Sequence, residues 1–278
     1  MSNIVLGTCS WNYSSWVGLV YKEKRLSPAD YLKEYTKKFG TAEIDSWFYR
    51  IPSRQQVLSY ARNAPDDFSF TCKITRDITM PFLRGETDIK NPKFLDPEFF
   101  KAFCDAISFL IDRIELIIFE FEYLNKAKMM SVFEFIDRFG DFKNKIGNEL
   151  PVGIETRNSN YLTREYFEFL YSSRISHVFC EKQYMPHVFD VYSEYKDLIS
   201  GKSVIRLLGE DRAEIERKSG KKWDRIVKEV PTKDKIVSMS LDMKNRVIIN
   251  VNNHYEGSAP LTIDCLKKMF KDRGVTVS

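Results

Sequence analysis

Histidine is scarce in this chain of 278 residues, which has only His177, His187 and His254. With no H-E-x-x-H and no C-x-x-C spacing, a histidine-rich or thiolate-rich metal centre has no ligand set to draw on. The five cysteines, Cys9, Cys72, Cys104, Cys180 and Cys265, are odd in number and far apart. They argue against a disulfide framework and for a reduced, intracellular setting. No apolar run approaches the roughly 18 residues that a membrane span requires. The opening Met1 to Gly7 reads as a strand and lacks the charged start and apolar middle of a secretory signal. A cytoplasmic protein with no membrane contact is therefore expected. Neither G-x-G-x-x-G nor G-x-x-x-x-G-K-[ST] occurs, which removes the usual signatures of a nucleotide-binding sheet. Charge of one sign is also missing. Forty-three basic against 39 acidic side chains leave +4, too little to mark a dedicated nucleic-acid binder, although a local basic patch is not excluded. No repeat, low-complexity segment or Pro/Gly/Ser-rich linker divides the chain, so residues 1–278 read as one domain.

What is present is alternation. Ile4–Thr8 reads as a strand, and Pro28–Phe39 as a helix with Ser27 as its cap, Pro28 in its first turn, and Tyr31, Leu32, Tyr35 and Phe39 on one face. Thr41–Asp45 precedes a helix from about Ser53. Phe68–Lys73 precedes Pro97–Ile111, capped by Asp96, with Phe99, Phe103, Ile107 and Leu110 inward. Between these last two lies a long segment, Thr79 to Pro97, rich in Pro, Gly and charge, the expected lid. Ile114–Phe119 pairs with Ala127–Phe139, Val152–Glu155 with Arg164–Tyr171, and Ser176–Cys180 with a less regular stretch through Ser193. Ser203–Leu207 pairs with Lys221–Val230, after a charged stretch Gly209–Lys222 expected as solvated loop and helix start. Arg246–Val251 pairs with Pro260–Phe270, whose Leu261, Leu266 and Met269 are expected inward. Eight such units in this length predict an α/β fold, a single (β/α)8 TIM barrel with a lid-like insertion after strand 3.

Each apolar run ends in polar residues: Glu43 and Asp45, Lys73, Glu120, Glu155 and Arg157, Glu181, Arg206, then Asn252, Asn253 and His254. In a closed parallel barrel all of these gather at one mouth, the end where barrel active sites form.

Several blocks resemble one family. Gly7-Thr8-Cys9-Ser10-Trp11-Asn12-Tyr13, followed by Trp16, resembles the N-terminal signature of the YecE-like proteins, a TIM-barrel group catalogued as a domain of unknown function. The resemblance continues through the blocks at 43–53, 65–73, 155–157, 204–209 and 252–260, and so spans nearly the whole chain. It implies the barrel but no agreed reaction. The chain departs from the family pattern at Asp45 (usually Asn), at Arg76 (often His), at Phe119-Glu120-Phe121-Glu122 (Phe-Gln-Phe-Pro), and at Asn158, where His often follows Arg157.

The residues themselves suggest the chemistry. Arg76, Arg157 and Arg206, with Lys73, have the donors to grip a phosphate or carboxylate; the alternative is an ion-pair lattice with Glu43, Glu120 and Glu155 closing the barrel top. Lys73, among cations in a dry mouth, would lose proton affinity and suit a Schiff base or general base; set ahead of that is a simple salt bridge to Glu43 or Glu155. Glu155 and Glu43 are candidate general bases, with His254 as acid or electrophile. Asn252 and Asn253 either orient substrate hydroxyls or cap the last helix. Trp11, Tyr13, Trp16, Trp47 and Tyr49 form an aromatic concentration for a flat ligand, with the polar tips of Tyr13 and Tyr49 the candidates for contact, or, equally, packing under the loops, and Asp45 joins the substrate-contacting set.

Three readings follow. The first is an enzyme acting on an anionic, phosphate- or carboxylate-bearing small molecule, sugar derivatives among the candidates, by acid/base proton transfer or hydrolysis, without a tightly held cofactor. The second is a nucleic-acid-processing or nucleic-acid-binding protein, with a divalent metal on Glu43, Asp45 and Glu155 compatible but not indicated by ligand spacing. The third is a non-catalytic ligand-binding or scaffold barrel whose mouth charges pair with one another. Oligomeric state is not legible.

Overall fold

The computed structural model describes residues 3–86 and 88–278. Eight strands, β1 (Ile4–Cys9), β2 (Thr41–Ile44), β3 (Ser69–Lys73), β4 (Ile114–Glu120), β5 (Val152–Glu155), β6 (Ser176–Lys182), β7 (Ser203–Gly209) and β8 (Val247–Val251), close into a barrel in sequence order. Every neighbouring pair is parallel, and β8 returns to β1 with Ile4 opposite Val247 and Thr8 opposite Val251. The (β/α)8 barrel expected from the alternation is what the chain forms.

Helices α1 (Pro28–Tyr35), α2 (Arg54–Asn63), α3 (Pro97–Ile107), α4 (Val132–Ile146), α5 (Arg164–Ser172), α6 (Val188–Tyr195), α7 (Arg212–Ser219), α8 (Lys233–Asp242) and α9 (Ala259–Lys271) surround the strands. Side chains set many of their starts. Ser27 and Asp30 form a reciprocal capping box at α1, while Ser53, Asp96 and Thr163 each accept a backbone N–H of the helix that follows. Such caps satisfy donors that the first helical turn leaves orphaned.

Five expectations need correction. The fourth helix does not start at Ala127. Asn125 Oδ1 accepts from Ala127 and Lys128 N–H in a turn, and Ser131 caps the helix that begins at Val132. Lys221–Val230 is not helical. Gly220, at φ +60°, ends α7, and the N–H groups of Val227, Lys228 and Val230 go to Glu256 rather than to their own turn. The charged 209–222 stretch holds α7 itself, and the stretch through Ser193 holds α6. Phe99, Leu261 and Met269 are only half-buried, with Phe100, Ile263 and Phe270 taking the inward places.

The alternation of the strands sorts the core into two parts. Val5, Leu116, Ile118, Val178, Val204 and Ile248 form a small cluster inside the barrel. Their strand neighbours Ile4, Leu6, Ile117, Phe119, Phe179, Ile205 and Ile249 join the larger shell packed under the helices. Gly153, on the inner face of β5, is required by close approach, since a Cβ there would lie 2.7 Å from Leu116 Cδ2. The segment after β3 folds back on itself, with Leu83 N–H donating to Ile89 O at 2.9 Å and Asn91 N–H to Pro81 O at 3.0 Å. The buried Asn91 amide donates to the carbonyls of Asp77 and Met80 and roots this arm beside the mouth.

Candidate functional site

Nearer their C-terminal ends, at the alternate positions that share the face of the apolar inner cluster, the strands present one polar or sulfur-bearing side chain each: Cys9, Glu43, Lys73, Glu120, Glu155, Cys180, Arg206 and Asn250. Arg206 is the centre of this layer. Its Nε and Nη2 donate to the two oxygens of Glu43 at 2.8 and 2.7 Å, while Nη1 donates to Glu120 Oε2 at 2.8 Å and to Glu155 Oε2. Arg206 is 2% exposed, and Glu43 and Glu155 are 0% exposed. Arg157 lies 2.5 Å from Glu155 Oε1 and 3.3 Å from Glu120 Oε1. Lys73 Nζ lies 2.6 Å from Asp45, 3.3 Å from Glu120 and 4.0 Å above the Phe48 ring. Asn250 donates to Thr71 Oγ1 at 2.8 Å and reaches Glu43 at 3.4 Å.

Glu43, Asp45, Lys73, Glu155, Arg157 and Arg206, expected from the sequence to meet, therefore do meet. Glu120, expected at the mouth but given a role only in the ion-pair alternative, links Lys73, Arg157 and Arg206. Cys9, Cys180 and Asn250 were not anticipated. Two are cysteines inside apolar runs and the third precedes the Asn252-Asn253 pair, so only counting alternate positions along each strand would have found them.

Charge states follow from this packing. Burial would raise the Glu120 carboxyl, but Arg206, Lys73 and Arg157 outweigh it and hold it well below the usual carboxylate range. Burial would lower Lys73, yet Glu120, Asp45 and Glu43 leave it above its ordinary value. The loss of proton affinity that a cationic mouth would give Lys73 is thus reversed, because the nearest groups are carboxylates rather than cations. At Glu43 burial prevails over Arg206 and the pKa is raised. Burial also pushes the thiols of Cys9 and Cys180 up.

The other anticipated residues lie around this centre. Trp11 is buried and donates its indole N–H to Pro28 O at 2.7 Å, and Tyr13 packs on Trp16 at 4.7 Å. Tyr49 is exposed at the rim with the Arg76 guanidinium 5.7 Å from its ring centre. Asn253 Oδ1 accepts from Ala259 N–H at 3.0 Å and so caps α9. His254 is held between Asn252 Oδ1 at 2.7 Å and Glu216 Oε1 at 3.0 Å, against Trp223, and burial lowers its pKa. These contacts fix His254 to α7 rather than to the Arg206 group. Glu181 turns away from the barrel axis to the start of α6, accepting Val188 N–H at 3.0 Å.

A cleft of about 390 Å³ opens beside the charged layer, lined by Glu120 and Phe48 at its inner side, by Arg76, Met80, Phe82, Arg84 and Glu86 from the arm after β3, and by the Glu122–Lys128 ion pair beyond β4. Neither Arg76 nor Arg84 has a carboxylate within ion-pair distance among the described residues. Also among the described residues, no group of three or more His, Cys, Asp or Glu side chains is arranged to hold a metal ion, and no helix is long and apolar enough to cross a membrane.

A family model described as a protein of unknown function, DUF72, matches residues 5–277. The chain belongs to the DUF72 family. This agrees with the resemblance to the YecE-like barrels. A DUF72 family protein of Enterococcus faecalis V583 is similar in structure at 19% identity, covering 99% of this chain and 97% of its own, with a TM-score of 0.68. One from Thermotoga maritima MSB8 is similar at 20% identity over 96% and 99%, with a TM-score of 0.67. Outside the DUF72 family, a D-psicose 3-epimerase solved in the presence of D-fructose shares the barrel at 15% identity over 89% and 84%, with a TM-score of 0.51. No curated protein matches the chain.

Proposed function

We propose that this DUF72 barrel is an enzyme that binds an anionic small molecule in the cleft between the arm after β3 and the end of β4, and acts on it by proton transfer. The observation that carries this reading is the pairing, across one open cleft, of two arginines without carboxylate partners, Arg76 and Arg84, with Glu120, the member of the charged layer that lines it. Paired guanidinium N–H groups suit a phosphate or carboxylate. The apolar Phe48, Met80 and Phe82 exclude water from the rest of the ligand.

Arg206, 2% exposed and with four of its five N–H donors given to Glu43, Glu120 and Glu155, is a scaffold for that chemistry rather than a ligand grip. Lys73, kept protonated and paired with Asp45 and Glu120, acts through Glu120 by holding that carboxylate ionised and in place. Glu120, kept ionised, accepts a proton only from a group that is already acidic.

Thermal-shift titration with inorganic phosphate, citrate and sugar phosphates tests the reading. At least one should stabilise the protein saturably, and the Arg76→Ala/Arg84→Ala variant should lose that response. Equal stabilisation of that variant, or no response to any of these anions, refutes the anion site. Turnover of a bound anion that survives Glu120→Gln unchanged refutes the proton-transfer role.

A further inference from the structure

On the opposite side of the mouth, between the ends of β6 and β7 and the strap before α8, lies a second cleft of about 450 Å³. It is lined in part by Glu181, Lys182, Tyr184, His187 and Tyr255. Glu181 is buried, with Oε2 accepting Val188 N–H at 3.0 Å and Oε1 2.6 Å from His187 Nδ1. A carboxylate can only accept, so the hydrogen in the second contact sits on Nδ1 and the lone pair of the neutral ring is on Nε2. The ring plane is fixed as well, stacked on Phe189 at 4.9 Å and 14°. Nε2 has no protein partner among the described residues, and the His187 side chain is 46% exposed.

Tyr184, in the same cleft, is 88% exposed and sits at φ +67°. A left-handed conformation is strained for a bulky residue, and such strain is concentrated at functional positions. Lys182 is exposed and forms no ion pair among the described residues, which leaves its ammonium hydrogens free.

We infer that this cleft is a second ligand site, in which the Nε2 of His187, oriented by Glu181, accepts a hydrogen bond from a hydroxyl of a small carbohydrate or polyol. The geometry asks for a ligand with a donor for Nε2, an acceptor for Lys182, and a C–H face to lie on the Tyr184 ring. A hydroxyl is donor and acceptor at once, and a sugar ring carries several around an apolar face. The unpaired arginines that suit the first cleft to anions have no counterpart here, so the two sites differ in chemistry and the second does not depend on the first.

The experiment is a side-chain 15N spectrum of His187, followed by titration with D-glucose, D-xylose, D-ribose, D-fructose and ribitol. The free protein should show the Nδ1–H tautomer. At least one of these probes should shift the Nε2 resonance saturably, and His187→Ala and Tyr184→Ala should each weaken its binding about tenfold or more. Arg76→Ala/Arg84→Ala should leave that binding unchanged, which keeps the fate of this site separate from that of the anion cleft. An Nε2–H tautomer overturns the inference. So does the expected tautomer with no response to any probe, which is what a pair serving only to cap α6 would give, and so does binding that survives both single variants.

Discussion

Replacing Arg206 by methionine separates the two roles the residue was offered. If Arg206 gripped a substrate, its loss would cost affinity and leave stability nearly intact. The packing demands the reverse. The guanidinium is buried with Glu43 and Glu155, neither of them exposed, and also holds Glu120. Removing one partner of a buried pair costs about 3–5 kcal/mol, because the other charge stays behind without compensation. Here three carboxylates lose a partner and Arg157 and Lys73 remain to share, so the upper part of that range is expected. At about 2–4 °C per kcal/mol for a chain somewhat shorter than this, the melting temperature should fall by roughly 8–20 °C.

The loss should also depend on pH. Glu43 already sits above the ordinary carboxylate value because of burial, even with Arg206 in place, and without it the carboxyl moves further up. A carboxyl whose pKa is higher folded than unfolded holds a proton that the unfolded chain releases. Stability of the variant must therefore decline as pH rises from about 4, near the unfolded value, up to the folded one, by as much as about 1.4 kcal/mol per pH unit for each such group. Adding Glu43→Gln should restore part of the stability and flatten the slope. Urea titrations at several pH values read all of this. A cost below about 1 kcal/mol with no pH slope would refute the account of Arg206 as the charge that holds the barrel top together.

Glu120→Gln should destabilise most near neutral pH. Its folded carboxyl lies well below the usual range, so the stabilisation it brings is present above about pH 4–5 and is lost as pH falls through the depressed value, and the gap from the parent protein should narrow in acid; a constant gap from pH 3 to 7 contradicts the assignment. Lys73, kept protonated by its carboxylate neighbours, should resist borohydride trapping with simple aldehydes at pH 7, and mass spectrometry finding Lys73 as the favoured adduct would show that it is a nucleophile after all. Glu256→Gln should free the strap before α8, since the buried carboxylate accepts Val230 N–H at 2.7 Å and Thr262 Oγ–H at 2.8 Å and pairs with Lys233. Amide exchange at Val230, whose N–H bonds the carboxylate itself, should quicken by at least about tenfold, for a loss of about 1.5–3 kcal/mol, and unchanged exchange there rules out the tether. Gly153→Ala should cost about 1–3 kcal/mol by overpacking against Leu116, measured by denaturant midpoint, and a neutral result means the inner face of β5 has room.

The helix starts at Ser27, Ser53 and Asp96 could be read in advance because a cap is a contact between residues two or three apart. The start of α4 was misread because Ala127 and Lys128 have good helical propensity, while the decisive hydrogen bonds, from Asn125 and Ser131, favour a turn first. The helix expected over Lys221–Val230 failed for a longer-range reason. Its backbone donors are taken by Glu256, on another loop, and no pattern within the segment reports that competition.

What the chain determined by itself was its alternation, from which eight strands and their helices follow, and the presence of a polar residue where each apolar run stops. Local hydrogen bonding and burial periodicity encode those features, so they survive reading one residue at a time. Closure of the barrel decided the rest: that Arg206 meets three glutamates, that Lys73 keeps its proton, that His254 belongs to α7 and that Asn250 and two cysteines join the inner layer. Charge state and partner depend on distances across the barrel between residues far apart in sequence, such as Asn250 and Glu43, 207 positions apart. Only the folded chain sets those distances.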